Sequence, residues 1–224
     1  MFINEMIPAG SEKEVRKTVV KTLLAERRTV EYKIPKVNLA EKHLSNARLL
    51  INREELVKLM PKHGIVAELG VDEGEFSELI IQHNQPKKLH LVDIWANERY
   101  SEEQKIIVEE KFKDKIASKE IEINLGKSLE MAKVFSDDYL DWVYIDTTHT
   151  YEMTIAELEA YESKVKPGGF IAGHDFTRWD RKGFVRFGVI EAVCKFCDNF
   201  NWEIVYLTME LDNNPSFALR KISE

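Results

Sequence analysis

The segment at residues 66–77, which reads V-A-E-L-G-V-D-E-G-E-F-S, limits the fold of this chain more than any other segment. A short apolar run leads through Glu68 to Gly70 and Gly74, and a helical pattern begins after the second glycine. A strand, a tight glycine turn and a helix N-terminus together form the device with which parallel α/β sheets hold nucleotide-like ligands. We therefore predict an α/β fold with a ligand site at this turn.

The spacing of the two glycines also limits the ligand. Dinucleotide sites use G-x-G-x-x-G, in which the second glycine lets the backbone approach a pyrophosphate. In this chain that position is Asp72, whose side chain and negative charge disfavour a pyrophosphate. A ligand with a cationic centre and no phosphate, such as S-adenosylmethionine (SAM), avoids this penalty.

Size and charge exclude several classes of protein. The chain has 224 residues, which is enough for one α/β domain with some decoration. Its formal net charge of -7 argues against binding to nucleic-acid phosphates or to an anionic membrane. The N-terminal residues lack the pattern of a signal peptide, and no apolar stretch has the length of a membrane span. We expect a soluble, cytoplasmic protein.

The rest of the chain alternates between apolar runs and helical patterns. This alternation predicts a doubly wound, mostly parallel sheet. The last two apolar runs are separated by the turn signal N-N-P, which predicts an antiparallel final strand and seven strands in all. The apolar runs lie at 65–69, 89–92, 121–125, 140–145, 169–172, 203–207 and 216–220, and the helical patterns at 74–83, 101–118, 127–135 and 151–164.

Residues 1–60 are predicted to form a helical extension or cap on the main domain at residues 61–224. A charged helix is predicted at 11–28, where Ser11 begins a capping box and a narrow apolar stripe follows. A second helical stretch is predicted, with interruptions, from about Asn38 to Met60. The stripe could dock on the main domain, close over a ligand or pair with another subunit, so a homo-oligomer through these helices is one expectation.

Polar residues follow five of the predicted strands, at the edge of the sheet where ligands bind in open α/β folds. Asp93 comes about 20 residues after the glycine turn, the separation at which an acid accepts both hydrogens of a ribose diol. A helix cap is the alternative for this side chain. The five strand ends are Glu68-x-Gly70, Asp93, Gly126-Lys127-Ser128, Asp146-x-x-His149 and His174-Asp175.

Two of these ends would bring two carboxylates, Asp146 and Asp175, together with the imidazoles of His149 and His174 if their strands are neighbours. A divalent cation held by oxygen ligands would keep both acids ionised side by side. Alternatively, one acid caps a helix and the other meets an arginine, such as Arg178 or Arg181. The spacing leaves both interpretations open.

The ordered motifs E-L-G with the second glycine, Asp93, D-W-V-Y-I-D-T-T-H-T-Y and K-P-G-G-F-I-A-G-H-D resemble a class I SAM-dependent methyltransferase. The resemblance runs from about residue 45 to the C-terminus. Within that superfamily, the last two motifs are similar to the metal-dependent macrocin and mycinamicin sugar O-methyltransferases, which have cephalosporin-hydroxylase-like relatives.

The resemblance implies roles for residues at the strand ends. His149 would be the general base, and Asp146, His174 and Asp175 would bind Mg²⁺. Histidine at position 174, where the group often has glutamate, is a softer ligand and could favour another divalent metal. Lys127 stands where many relatives have an acid. SAM would be bound by Glu68, Gly70, Gly74, Ser77, Asp93, Ser128 and Asp146.

The resemblance therefore implies transfer of a methyl group from SAM to a hydroxyl of a small molecule, for example a sugar, with help from a divalent metal. Residues 1–60 and the loop at 176–187 would determine the specificity for the acceptor. Two alternatives stay open. Asp146, His149 and His174 could form the two-histidine, one-carboxylate iron site of an oxygenase, or the chain could bind SAM without catalysing a reaction.

Overall fold

The computed structural model describes residues 12–96, 101–180 and 185–223. The chain divides into two compact units, residues 1–35 and 36–224. The first unit contains helix α1 (Glu12–Lys33), which matches the helix predicted at 11–28, although Ser11 of the predicted capping box lies outside the described residues. No helix in the described ranges combines the length and the apolar character that crossing a membrane requires.

The second unit is built on one sheet, whose strands lie in the order β1-β7-β8-β6-β5-β2-β3-β4. Every neighbouring pair is parallel except the two pairs that contain β8, which runs antiparallel to both β6 and β7. The strands are β1 (Arg48–Leu50), β2 (Ile65–Leu69), β3 (Lys88–Asp93), β4 (Ile121–Leu125), β5 (Leu140–Ile145), β6 (Val165–Gly173), β7 (Trp202–Thr208) and β8 (Phe217–Lys221).

Helices connect these strands and cover both faces of the sheet. Two apolar clusters contain alternate residues of the same strands, such as Val66 and Ala67 of β2, so one cluster lies on each face. The helices of this unit are α2 (Arg53–Leu59), α3 (Glu75–His83), α4 (Glu102–Lys111), α5 (Lys113–Ala117), α6 (Ser128–Met131), α7 (Tyr151–Glu162) and α8 (Val189–Phe200).

The prediction of a mostly parallel, doubly wound sheet with a reversed last strand is confirmed, but the described sheet has eight strands instead of seven. The additional strand is β1. It lies in the stretch predicted as a helix from Asn38 to Met60, which instead forms a 3-10 turn (Glu41–His43), β1 and the short helix α2. The prediction was wrong at β1, which is specified by pairing with β7, a partner distant in sequence, whereas α2 lies within the predicted helical stretch. Residues 36–60 consequently lie in the larger unit.

The topology of the sheet determines where a ligand can bind. The strand order reverses between β2 and β5, which pair in parallel so that Leu69 lies opposite Ile145. At such a switch point the two connections leave in opposite directions and open a crevice beyond the carboxyl ends of the strands. Gly70 follows β2 and Asp146 follows β5, so both lie at the mouth of this crevice.

Candidate functional site

The turn after β2 is a place where only glycine fits. Gly70 has a φ of 87°, and a Cβ atom there would lie 1.9 Å from the carbonyl oxygen of Asp146. Gly74 also has a positive φ, of 76°, and caps the N-terminus of α3. The Asp146 N–H donates to the Leu69 carbonyl over 2.8 Å, so the two strand ends are in direct contact. The predicted glycine turn is thus present and forms one wall of the crevice.

Glu68 is buried beneath this turn. Its Oε2 atom accepts a hydrogen bond of 2.5 Å from the hydroxyl of Ser77, in the first turns of α3. Burial raises the pKa of Glu68 to about 8, against the smaller opposing effect of the Ser77 bond. The carboxyl is therefore protonated near neutral pH, and a cationic group brought close to it would favour its ionised form. This behaviour suits a carboxyl that meets the amino group of a ligand.

Asp93, predicted to bind a ribose, has its carboxylate fully engaged by backbone groups. Oδ2 accepts from the N–H groups of Val71 and Asp72, at 2.7 and 3.2 Å. Oδ1 accepts from those of Ile94 and Trp95, at 2.6 and 3.1 Å. A carboxylate offers about four lone-pair directions, so this side chain fixes the loops after β2 and β3. Its contact with a ribose stays a prediction.

Sequence reasoning did not find Arg53, the first residue of α2. Its guanidinium carbon lies 4.9 Å from the centre of the Phe76 ring. Burial raises the pKa values of Glu68 and Asp146, and the positive charge of Arg53 is among the charges that oppose this rise. A cation in the first turn of a helix is unfavourable for the helix dipole. No signal in the sequence marked this position, because a helix beginning at Arg53 was not predicted.

Glu157 on α7 was also missed. It is fully buried, and it accepts hydrogen bonds from Ser128 and, at 2.7 and 2.8 Å, from Thr147. The side chain thereby ties the loop after β4 to the loop after β5. The hydroxyl of Ser128 donates its proton to Glu157. The contact of Ser128 with SAM stays a prediction. The signal was an acid at helical spacing from Thr154 and Tyr161, on the buried face of α7.

The structure brings the four predicted residues after β5 and β6 into one acid–histidine cluster: Asp146, His149, His174 and Asp175. The Nδ1 atom of His149 lies 2.8 Å from Oδ2 of Asp175. The Nδ1 atom of His174 lies 3.5 Å from Oδ2 of Asp146 and 3.4 Å from Oδ1 of Asp175. Ligand-type atoms of Asp146, His149 and Asp175 all lie within 4.8 Å of one another. Two carboxylates with an imidazole are a donor set that fits a divalent cation.

The charges in this cluster are unequal. Burial raises the pKa of Asp146, and Asp175 adds to the rise. Burial would also raise the pKa of Asp175, but hydrogen bonds with His149 and His174 outweigh it and hold that pKa far below its ordinary range. Burial would lower the pKa of His174, but its bond to Asp175 and the charge of Asp146 raise it instead. The two acids therefore rely on nearby positive charge to be ionised together.

The described residues do not pair either of the two arginines named in the alternative with an acid of the cluster, although the charge of Arg53 acts on Asp146. Arg178 pairs with Glu191 at 3.4 Å, and Arg181 lies outside the described residues. The segment that follows the cluster is tied to His149: the Gly188 N–H donates to its carbonyl over 2.7 Å. The ring of Phe187 lies 4.5 Å from the His149 ring, so this part of the predicted acceptor loop borders the histidine.

Comparison with known protein families gives one match. Residues 67–176 match the family model of a methyltransferase domain. This range begins in β2 and ends directly after Asp175, so it contains every predicted site residue. The chain has no match among curated proteins.

Solved structures are similar to this chain in fold. A protein from Clostridium thermocellum, assigned as an rRNA methylase, is 16% identical with a TM-score of 0.58 over 78% of this chain and 98% of its own. A SAM-dependent methyltransferase from Aquifex aeolicus is 16% identical with a TM-score of 0.55 over 75% of this chain and 89% of its own. An assigned methyltransferase from Streptococcus mutans, solved with SAH, is 13% identical with a TM-score of 0.55 over 76% and 96%.

These structural likenesses establish the Rossmann-like methyltransferase fold, and the family match supports methyl transfer. The macrocin-type subgroup, the chemistry of the acceptor and the metal have to be argued from the residues of the site, because a shared fold does not specify them.

Proposed function

We propose that this chain is a SAM-dependent O-methyltransferase that methylates a hydroxyl of a small molecule with the assistance of a divalent cation. The observation that carries the proposal is the acid–histidine cluster directly beside the glycine turn, in a segment that matches a methyltransferase domain. A donor site and a site for activating a hydroxyl then share one crevice.

The donor side of the crevice suits SAM more than a dinucleotide. Asp72 occupies the position at which a pyrophosphate needs a glycine. Glu68, which is protonated near neutral pH, would ionise next to the amino group of the methionine moiety of SAM, and Arg53 would lie near the carboxylate of that moiety. SAM, when bound, supplies a methyl group on a sulfonium, and the task of the protein is to hold acceptor and donor in line.

On the acceptor side, we assign His149 as the base that accepts the proton of the hydroxyl. Its Nδ1 atom faces Asp175 at 2.8 Å, which leaves Nε2 as the nitrogen available for a substrate proton. The side chain is 31% exposed, so a substrate can reach it. Histidine is the side chain that most often performs this proton transfer, with a contribution of about 100-fold to 10,000-fold.

The cation would be held by Asp146 and Asp175, with the Nδ1 atom of His174 as the third donor. A divalent cation at this place supplies positive charge that makes a nearby hydroxyl more acidic. His149 also belongs to the set of ligand-type atoms that lie within 4.8 Å of one another, but we assign it to the proton because its side chain is 31% exposed, whereas that of His174 is 8% exposed. The proposed acceptor is a small molecule, since a net charge of -7 opposes binding to RNA.

One feature favours a second candidate function. The Nδ1 atoms of both histidines lie near Asp175, at 2.8 and 3.4 Å, and two histidines with one carboxylate bind iron in oxygenases. Iron that copurifies under anaerobic conditions, without affinity for SAM, would favour this alternative.

The decisive experiment is a calorimetric titration of chelator-treated protein with SAM, SAH and NAD, before and after addition of Mg²⁺ or Mn²⁺. We expect binding of SAM and SAH but not of NAD. A panel of sugars and other hydroxylated molecules is then assayed for release of SAH, which we expect to need the cation. Folded protein that binds neither SAM nor SAH would refute the proposal, and full activity after exhaustive chelation would remove the cation from it.

A further inference from the structure

Two buried polar atoms on the far side of the acid–histidine cluster face each other without a hydrogen-bond partner. They are Nε2 of His174 and Oε2 of Glu210, which lie 4.0 Å apart. The side chains are only 8% and 7% exposed. Buried polar atoms without partners are rare in folded proteins. An imidazole nitrogen and a carboxylate oxygen that both lack a partner in the same place indicate that the two groups interact with each other.

Glu210 is held in place from its other oxygen. Oε1 accepts a hydrogen bond of 2.5 Å from the backbone N–H of Arg53, the first residue of α2. Glu210 itself follows β7, the strand that pairs with β1. One oxygen is therefore used by the start of α2, and the second is the oxygen on the side of His174. A shift of about 1 Å would bring it within hydrogen-bond distance of Nε2.

The imidazole of His174 has its second nitrogen on the opposite side. Nδ1 faces Asp146 at 3.5 Å and Asp175 at 3.4 Å. A neutral imidazole carries one proton, on one nitrogen or the other. With the proton on Nε2, Nδ1 offers a lone pair to a cation between the acids. With the proton on Nδ1, the ring can only donate to the carboxylates and cannot bind a cation there.

We propose that Glu210 is a positioning residue that keeps the proton of His174 on Nε2, so that Nδ1 is a cation ligand. The inference rests on the cation site of the proposed function. Histidines that bind metals generally donate their other N–H to a carboxylate, a carbonyl or a water, and loss of that partner costs about 10-fold to 100-fold in metal affinity or activity. Glu210 supplies such a partner from outside the segment that matches the methyltransferase family model.

The test compares Glu210→Leu, which removes both oxygens, with Glu210→Gln, whose single carbonyl oxygen can keep the bond from the Arg53 N–H while its NH₂ group meets Nε2 of His174 as a donor. Glu203→Gln is the matched control, because Glu203 is a buried carboxylate on β7 that pairs with Arg220 instead. Mn²⁺ affinity of chelator-treated protein is measured by electron paramagnetic resonance. We expect both Glu210→Leu and Glu210→Gln to bind Mn²⁺ about 10-fold to 100-fold more weakly, because neither offers Nε2 an acceptor, and Glu203→Gln to match the unmodified protein.

A second readout reports the proton directly. In protein with ¹⁵N-labelled histidine, NMR distinguishes the two tautomers of His174 in the metal-free state, at a pH where the ring is neutral. We expect the Nε2–H form in the unmodified protein and the Nδ1–H form in Glu210→Leu. An unchanged tautomer and unchanged Mn²⁺ affinity in Glu210→Leu would overturn the inference. Failure of the unmodified protein to bind Mn²⁺ would instead refute the cation site itself, and with it the ligand role of His174.

Discussion

The Nδ1 atom of His149 lies 2.8 Å from the Oδ2 atom of Asp175, so the carboxylate determines which nitrogen of this ring is available to a substrate. Asp175 is itself fixed by the side-chain amide of Asn214, which donates to Oδ1 over 2.5 Å. A histidine oriented in this way by a carboxylate has the arrangement of a general base, in which the orienting group acts through the ring.

We predict that His149→Ala lowers the rate of methyl transfer by about 100-fold or more, because the acceptor proton loses its base. Affinities for SAM and for Mn²⁺ should stay the same, since His149 is not assigned to either. Turnover with an accepted acceptor and Mn²⁺ titration check the two parts. Loss of Mn²⁺ affinity in the variant would show that His149 is a ligand, and an unchanged rate would exclude it as the base.

Gly70→Ala should lower the free energy of unfolding and weaken the binding of SAM. Its φ of 87° is unfavourable for alanine, and the new Cβ atom would lie 1.9 Å from the Asp146 carbonyl oxygen. Gly168→Ala is the matched control, with a similar φ of 79° but no atom within 4 Å of the added carbon. We expect a loss of about 1–2 kcal/mol for the control, from the backbone alone, and a larger loss for Gly70→Ala. Urea unfolding and SAM titration measure this, and equal losses would contradict the clash.

Asp93→Asn should loosen the two loops that the carboxylate joins. Asparagine keeps one acceptor oxygen and replaces the other with an NH₂ group, so two of the four backbone donors lose their acceptor. Each buried donor left unpaired costs about 1–3 kcal/mol. The control Asp137→Asn changes an exposed acid that pairs with Lys164, and it should alter the free energy of unfolding by less than about 0.5 kcal/mol. Equal stabilities by urea unfolding would argue against this role.

Glu68 should make the stability of the protein depend on pH. Its pKa is about 8 in the folded protein, because of burial, against an ordinary value of 4.5. Between these values the folded state holds a proton that the unfolded state has lost. The stabilisation is therefore complete below the lower value and is lost as the pH rises through the higher one.

Glu68→Gln removes this titration and keeps an acceptor for Ser77. Relative to the variant, the unmodified protein should lose up to about 1.4 kcal/mol per pH unit between about pH 5 and 8. Urea unfolding at pH 5, 7 and 9 measures the difference. If the two free energies of unfolding stay parallel over this range, the carboxyl is not protonated in the folded state.

Local patterns predicted most of the fold. Continuous apolar runs and the glycine turn gave the strands from β2 to β6, and the N-N-P turn gave the antiparallel end. The strand β1 could not be found in this way. It has three residues, two of them exposed, and only its pairing with β7 makes it a strand. Local sequence carries no information about a partner that lies so far along the chain.

The site was predictable where its residues follow strands, because the carboxyl ends of parallel strands meet at one edge. Asp146, His149, His174 and Asp175 all come together for this reason. Arg53 and Glu210 were not found, since one begins a helix that was placed incorrectly and the other lies beyond the last parallel strand. Their contact depends on how β1 and β7 pair.

The pairing of β1 with β7 has a consequence for synthesis of the protein on the ribosome. Arg53 and Glu210 are 157 positions apart, so nearly the whole chain must be translated before they can meet. Domains generally fold as units as they emerge, and contacts between distant residues form slowly. The segment around β1 must therefore wait, unpaired and with Leu50 away from the apolar cluster against which it packs in the folded protein, until the final strands leave the exit tunnel. During that interval the unpaired edge is open to contacts with other chains, and Arg53 reaches its place beside Glu210 only in the last steps of folding.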